Sequence, residues 1–95
     1  GVPGKYELSQ NYPNPFNPVT KINFQIPVDG QVSLIVYDVT GREVKTLLNN
    51  EQHTAGYYTV EFNGGSFSSG TYFYRFIADA GGKKNIITKK MILIR

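Results

Sequence analysis

Residues 11–24 read NYPNPFNPVTKINF, a proline-rich segment that runs directly into an alternating one. Proline fixes φ at about −65° and forces the preceding residue into extended geometry, so the segment NYPNPFNP is expected to form a stiff, extended strap. Its three prolines have no backbone N–H groups to donate to a neighbouring strand, which excludes a central strand. We expect the strap to lie along a sheet edge and to bury Tyr12 and Phe16 in the open end of the fold. Hydrogen bonds to nearby backbone are expected from its asparagines, Asn11, Asn14 and Asn17.

The alternating part of this segment predicts a half-buried strand. Ile22, Phe24 and Ile26 alternate with polar residues, and a period of two residues places them on one face. Pro27 ends the strand, and Asp29 begins a turn with the glycine that follows it. The next segment, QVSLIVYD, is also apolar on its second face, which indicates a central strand covered in part on both sides.

The remaining chain continues with strands and turns. Asp38 to Gly41 predicts a compact turn, in which the carboxylate accepts backbone N–H groups and the glycine supplies a positive φ. REVKTLL then returns as a strand and is followed by a polar loop over 49–56. Three more strands are expected in YYTVEFN, TYFYRFIAD and KKNIITKKMILIR, with a short seventh near residues 6–10.

This pattern predicts an all-β fold. No window has the sustained 3.6-residue period of a helix, and turn signals recur between short alternating strands, as in a β-sandwich. Tyr72 follows Gly70 directly after a turn, where it is either a core residue or a tyrosine corner that bonds to upstream backbone.

Length and composition limit the domain organisation. The 95 residues suffice for one small domain, which we assign to residues 6–95. Residues 1–5 are assigned as a linker, or as residues added to the natural chain. Cysteine is absent, which excludes disulfides and thiolate chemistry. No stretch approaches the roughly 20 apolar residues of a membrane span.

The positive charge is concentrated in the last strand. The net charge is +3, and the final strand carries Lys83, Lys84, Lys89 and Lys90 between isoleucines. Nucleic-acid binding favours basic residues interleaved with exposed aromatics, which this strand lacks. The pattern is instead typical of an edge strand that lysines protect against aggregation.

No catalytic or metal site is apparent in the sequence. His53 is the only histidine, so no second imidazole is available for a zinc site. GGSFS differs from the nucleophile elbow at its last position and leads into a strand rather than a helix. The seven acidic residues are scattered over turns and outward positions. We therefore predict no enzymatic activity, no metal and no cofactor.

An ordered set of motifs covers nearly the whole chain, from about Tyr6 to Arg95. It comprises YPNPFNPVTKINFQIP, VYDVTGREVKTLL, AGYYTVEFNG, SSGTYFYRF and the closing KKMILIR. This set resembles the type A C-terminal sorting domains of the type IX (Por) secretion system. The immunoglobulin-like domain of flagellar hook-capping proteins shares the VYDVTGREV and SGTYFYR pieces, but YPNPFNP and KKMILIR favour the sorting domain.

The resemblance implies an immunoglobulin-like β-sandwich of about seven antiparallel strands and a set of motif residues. Those expected to be structural are Tyr12, Pro13, Asn14, Pro15, Phe16, Asp38, Gly41, Arg42, Val44, Gly70 and Tyr72. The candidates for recognition by the secretion translocon lie in the terminal strand and are Lys89, Lys90, Ile92, Ile94 and Arg95.

The resemblance also implies a non-catalytic secretion signal. Such domains end large secreted proteins of Bacteroidetes and their relatives, carry an upstream cargo through the periplasm to the outer-membrane translocon, and are commonly removed by a sortase-like peptidase at the cell surface. Two other functions stay open from the residues themselves. One is a passive spacer or adhesion module. The other is a carbohydrate-binding module, for which Tyr37, Tyr57 and Phe73 are the candidate aromatic row.

Overall fold

The structure, a computed structural model, describes residues 1–95 and contains strands but no helix. The predicted short strand near residues 6–10 is present as the first of seven strands. Their bounds are β1 Glu7–Leu8, β2 Val19–Ile26, β3 Gly30–Tyr37, β4 Glu43–His53, β5 Gly56–Asn63, β6 Gly70–Ala80 and β7 Lys83–Leu93.

The strands form two sheets that enclose one core. One sheet has the order β1-β2-β5 and the other has the order β4-β3-β6-β7, and every pair is antiparallel. The predicted all-β, immunoglobulin-like sandwich is therefore confirmed. The buried hydrophobic core consists of Leu8, Phe16, Ile22, Phe24, Ile26, Val32, Leu34, Val36, Phe62, Tyr72, Tyr74, Phe76, Ala78, Met91 and Leu93.

The period-two pattern correctly predicted the core faces of β2 and β3. Ile22, Phe24 and Ile26 are buried, and Thr20 lies on the same face. The second face of β3 is half-buried, and β3 lies between β4 and β6, as expected for a central strand. At the N-terminus Pro3 is buried, whereas its neighbours are exposed.

The polar loop predicted at residues 49–56 is wrong, because β4 continues through Asn50 to His53. The pairing that keeps this segment in the sheet is a backbone one: Val32 pairs with Glu51 and Gly30 with His53. A register shift in the middle of β4 accommodates Asn50, which has a positive φ of 52° and donates its N–H to the Ser33 hydroxyl. Polar side chains are compatible with this edge position.

The predicted turn after β3 is confirmed. The Asp38 Oδ1 atom accepts the backbone N–H groups of Thr40 and Arg42, each at 3.0 Å, and Gly41 has a φ of 86°. The Thr40 hydroxyl donates to the same oxygen at 2.6 Å. This hydroxyl contact, together with the two N–H donors, lowers the pKa of Asp38 from 3.8 to about 2.

The strap, defined as residues Asn11–Pro18, connects the two sheets. Its first part pairs with β2, because Tyr12 and Lys21 exchange two backbone hydrogen bonds of 3.0 Å. Its second part pairs with β7, where Phe16 forms a parallel bridge with Leu93. The peptide bonds that precede its three prolines are cis.

The two strap aromatics differ in burial. Phe16 is 1% exposed, as predicted, but Tyr12 is 81% exposed, so the expectation that both are buried is wrong for Tyr12. Successive side chains of an extended segment point to opposite sides, and Asn11 takes the inward position beside Thr20. Tyr12 must therefore point to solvent.

Phe16 fits into the end of the core beside Phe62, at a ring separation of 5.9 Å. Gly64 makes room for it, because a Cβ atom at that position would lie 3.2 Å from both the Phe16 ring and the Leu93 side chain. The Gly64 N–H also donates to the Pro18 carbonyl at 2.7 Å, which holds the end of the strap against this loop.

We predict that Phe16→Ala lowers the free energy of unfolding by roughly 3–5 kcal/mol, because it empties a fully buried aromatic site. Tyr12→Ala is the matched control and should change it by less than about 0.5 kcal/mol, since that side chain is solvated. Urea unfolding of both variants measures the difference. If the two variants had the same urea midpoint, the strap would be only a linker.

We predict that Asp38 titrates with a pKa of about 2 in the folded domain. Because this value lies below the ordinary one, the ionised carboxylate stabilises the fold above its unfolded pKa, and the contribution is lost as the pH falls through the folded pKa. NMR titration of the side-chain carboxyl carbon measures the midpoint. Thr40→Ala should raise it by removing the hydroxyl donor, and an ordinary midpoint in the intact domain would contradict the prediction.

Candidate functional site

The fold brings the first and last sequence motifs into direct contact. Phe16 donates its N–H to the Ile92 carbonyl and accepts the N–H of Ile94, both at 2.9 Å. The Asn14 Oδ1 atom accepts the N–H of Ile92 at 3.0 Å, and the Gln10 amide donates to the Lys90 carbonyl at 2.7 Å. The strap thus covers the outer edge of the last part of β7.

This arrangement corrects part of the asparagine prediction. Asn11 does bond to nearby backbone, through its Nδ2 atom and the Pro13 carbonyl at 3.1 Å. Asn14 instead uses its side chain for the long-range bond to β7, and Asn17 makes no side-chain hydrogen bond. The difference arises because β7 offers Asn14 an unpaired edge N–H group.

The contact creates a surface that combines the two motifs. Tyr12, Pro13 and Pro15 are exposed on the strap. Beside them, β7 and its end expose Lys90, Ile92, Ile94 and Arg95. We call these seven residues the strap–β7 surface. Its two isoleucines are 38% and 51% exposed, so it presents apolar and basic groups together.

Lys89 differs from the other four candidates of the terminal strand. Its side chain is half-buried and points to the same side of β7 as the buried Met91 and Leu93. It lines a cavity formed mainly by residues of the three-stranded sheet rather than the strap–β7 surface. The sequence-predicted set therefore divides between two sides of the strand.

A buried polar network holds the strap from below. The Tyr74 hydroxyl donates to the Ser9 carbonyl at 2.7 Å and accepts the Asn11 N–H at 2.9 Å. The Thr20 hydroxyl donates to the Pro13 carbonyl at 2.9 Å and accepts from the Asn11 side chain. Burial raises the pKa of Tyr74 to about 12, against the opposing effect of the Asn11 N–H. The hydroxyl is therefore neutral and available to donate at physiological pH.

Sequence reasoning missed the role of this network. Tyr74 is buried on the same face of β6 as Phe76, but the residues that its hydroxyl bonds lie far away in the chain. The sequence does carry one signal for this network. A tyrosine of β6 and a threonine of β2 fall on inward faces, and a buried hydroxyl needs a hydrogen-bond partner.

Both roles that the sequence left open for Tyr72 are present: the side chain is buried in the core, and its hydroxyl donates to the Ser68 carbonyl at 2.7 Å. This bond closes the loop before Gly70, the first residue of β6. Arg95 donates from its guanidinium to the Phe67 carbonyl of the same loop. The glycine motif therefore supports the end of the sandwich at which the strap–β7 surface lies.

The middle motif lies at the same end of the four-stranded sheet but does not join the surface. Tyr37, the last residue of β3, pairs with Phe73 of β6, and Phe73 pairs with Lys90 of β7. The Arg42 guanidinium forms a 3.1 Å ion pair with Asp38 inside its own turn. Val44 is half-buried against the core. Asp38 and Arg42 thus bond within their own turn, and Val44 packs against the core.

The proposed aromatic row for carbohydrate binding is not formed. Tyr37 and Phe73 pair across the outer face of the four-stranded sheet, whereas Tyr57 belongs to β5 in the other sheet. The Arg75 guanidinium lies 4.9 Å from the centre of the Tyr37 ring and covers it. No single face therefore presents all three rings.

The lone histidine has a packing role. His53 packs edge-on against Tyr58 at 4.7 Å and against Phe24 at 6.0 Å. No group of three or more His, Cys, Asp or Glu side chains is placed to hold a metal ion. The chain also contains no helix that is long and apolar enough to cross a membrane.

Comparison with solved structures gives a close match in fold. The crystal structure of dimeric latent PorU from Porphyromonas gingivalis superimposes with a TM-score of 0.74 at 22% identity. The match covers 98% of this chain and 10% of the PorU chain, so the domain corresponds to a small part of that protein. Comparison with curated proteins finds no match.

Comparison with family models identifies the domain. The model described as "Secretion system C-terminal sorting domain" matches residues 10–94, a range that begins just before the strap and ends with Ile94 of the strap–β7 surface. The domain is thus a C-terminal sorting signal of type IX secretion. The chain belongs to the secretion system C-terminal sorting domain family.

Proposed function

We propose that the domain, residues 6–95, delivers a cargo joined at its N-terminal side to the type IX outer-membrane translocon, with residues 1–5 as the connecting linker. The observation that carries this proposal is the strap–β7 surface, because motifs from the two ends of the chain meet there. The cargo passes through the periplasm and reaches the cell surface or the medium.

We propose the exposed end of β7 as the part that the translocon recognises, through Lys90, Ile92, Ile94 and Arg95, with Lys89 on the other side of the strand. Apolar side chains that are exposed beside basic ones favour a protein partner, because burial of the isoleucines supplies affinity and the charges supply orientation. Tyr12 extends this surface on the strap, since aromatic residues are enriched in interfaces.

The domain acts as a signal and not as a catalyst in this proposal. A sortase-like peptidase is the proposed partner that removes it at the cell surface. A passive spacer is the competing function, and it predicts that the surface residues have no effect on export.

We predict that residues 1–95, fused to the C-terminus of an inert cargo in a bacterium with a type IX system, direct that cargo across the outer membrane. Deletion of Lys89–Arg95 should retain it in the periplasm. This deletion also removes Met91 and Leu93 from the core and frees Phe16 from its β7 partner, so it tests folding and recognition together.

The double variant Lys89→Ser with Lys90→Ser separates the two effects, because it should change stability by less than about 1 kcal/mol. Lys83→Ser with Lys84→Ser is the matched control: it removes the same charge from the other end of the same strand. Periplasmic cargo with the first pair and exported cargo with the second supports recognition at the end of β7. Normal export with both pairs would contradict the site, and failure of the intact domain would favour the spacer.

A further inference from the structure

We propose that the open edge of β7, defined as residues Lys84–Thr88, binds an extended acidic segment of another protein as an added strand. This site is a backbone edge at the opposite end of β7 from the strap–β7 surface. The proposal concerns the isolated domain and does not depend on its recognition by a translocon.

Every second residue of β7 directs its backbone groups away from β6. The bonds to the strap identify these residues, because Lys90, Ile92 and Ile94 all use their outward N–H or C=O groups for them. In an antiparallel ladder the same orientation recurs at alternate positions. Lys84, Ile86 and Thr88 therefore also point their N–H and C=O groups outward, and none of these groups bonds within the protein.

The open edge is regular enough to accept a strand. β7 pairs with β6 over eleven consecutive residues without a register shift. The other edge of the same sheet, β4, is interrupted by several shifts and by the positive φ of Asn50. Five regular residues match the average length of a strand, about 5–6 residues. The strap demonstrates that a chain segment pairs with this edge, since Phe16 does so farther along.

The charge around the open edge selects the kind of partner. Lys83, Lys84, Lys89 and Lys90 flank it, and neither of the two salt bridges in the protein involves a residue of β7. Lysines on an edge strand discourage pairing with neutral or basic strands. The same charges favour a partner rich in Asp or Glu.

A groove beside the open edge provides space for side chains of the added strand. A cavity of about 720 Å³ is lined mainly by residues of the three-stranded sheet and reaches β7 at Ile87 and Lys89. A second cavity, of about 300 Å³, adjoins Lys83 and Lys84 and shares Tyr6 with the first. Side chains on one face of an added strand would enter this partly apolar groove. Those on the other face would lie beside Ile86, which is 57% exposed between Lys84 and Lys90.

The partner is therefore an extended segment in which apolar and acidic residues alternate. Main-chain hydrogen bonds to Ile86 and Thr88 supply the geometry of such an added strand, and the alternate side chains supply the specificity. Its apolar residues enter the groove and its carboxylates lie on the side of Lys84.

A labelled, end-blocked octapeptide of alternating Glu and Val tests the proposal on the purified domain, with alternating Lys and Val as the control. Fluorescence anisotropy should detect binding of the acidic peptide only. At saturation, NMR should show hydrogen exchange at the Ile86 and Thr88 amides slowed by at least about tenfold, because these N–H groups become bonded.

Two variants complete the test. Thr88→Pro removes one outward N–H group, which an edge position tolerates, and should abolish binding while the CD spectrum stays unchanged. Lys83→Glu with Lys84→Glu keeps the backbone edge and should abolish the preference for the Glu peptide, because the two new carboxylates offset Lys89 and Lys90. Absence of binding at about 1 mM acidic peptide overturns the proposal. Binding that leaves the Ile86 and Thr88 amides unprotected also overturns it.

Discussion

The pairing of Phe16 with the end of β7 is the contact on which the architecture depends. The strap begins on β2 in one sheet and ends on β7 in the other, so its two backbone bonds to β7 join the sheets at one end. The Phe16 side chain fills the core at the same point, next to Phe62. One residue therefore closes the sandwich, completes the core and covers part of an edge that would otherwise be open.

This closure requires polar groups to be buried, and the structure satisfies all of them. Asn11 and Thr20 are both almost fully buried, yet no buried side-chain nitrogen or oxygen lacks a partner. The Tyr74 hydroxyl takes part by bonding to the backbone on both sides of Gln10. An unpaired buried polar group costs about 1–3 kcal/mol. Any other path of the strap that left these groups buried and unpaired would therefore be less stable.

The sequence predicted the features that depend on local rules. Period-two alternation located the core faces of β2 and β3, and turn chemistry located the bonds of Asp38 and the positive φ of Gly41. It failed where tertiary pairing decides. Tyr12 and Asn11 compete for the inward position of the strap, and the long-range partners of Asn11 determine the outcome. Likewise, β4 continues through polar residues because the backbone of β3 pairs with them. The family motifs supplied the candidate residues, but not that Tyr12 is exposed or that Asn14 reaches β7.

The strap–β7 surface exists only in the folded domain. Asn14 and Ile92 come from opposite ends of the chain, and the bonds of Asn14 and Phe16 to β7 hold the strap against the terminal strand. An unfolded chain contains both motifs but does not hold them together. A partner that contacts both at once consequently distinguishes a folded domain from an unfolded one, because the surface that it binds forms together with the core.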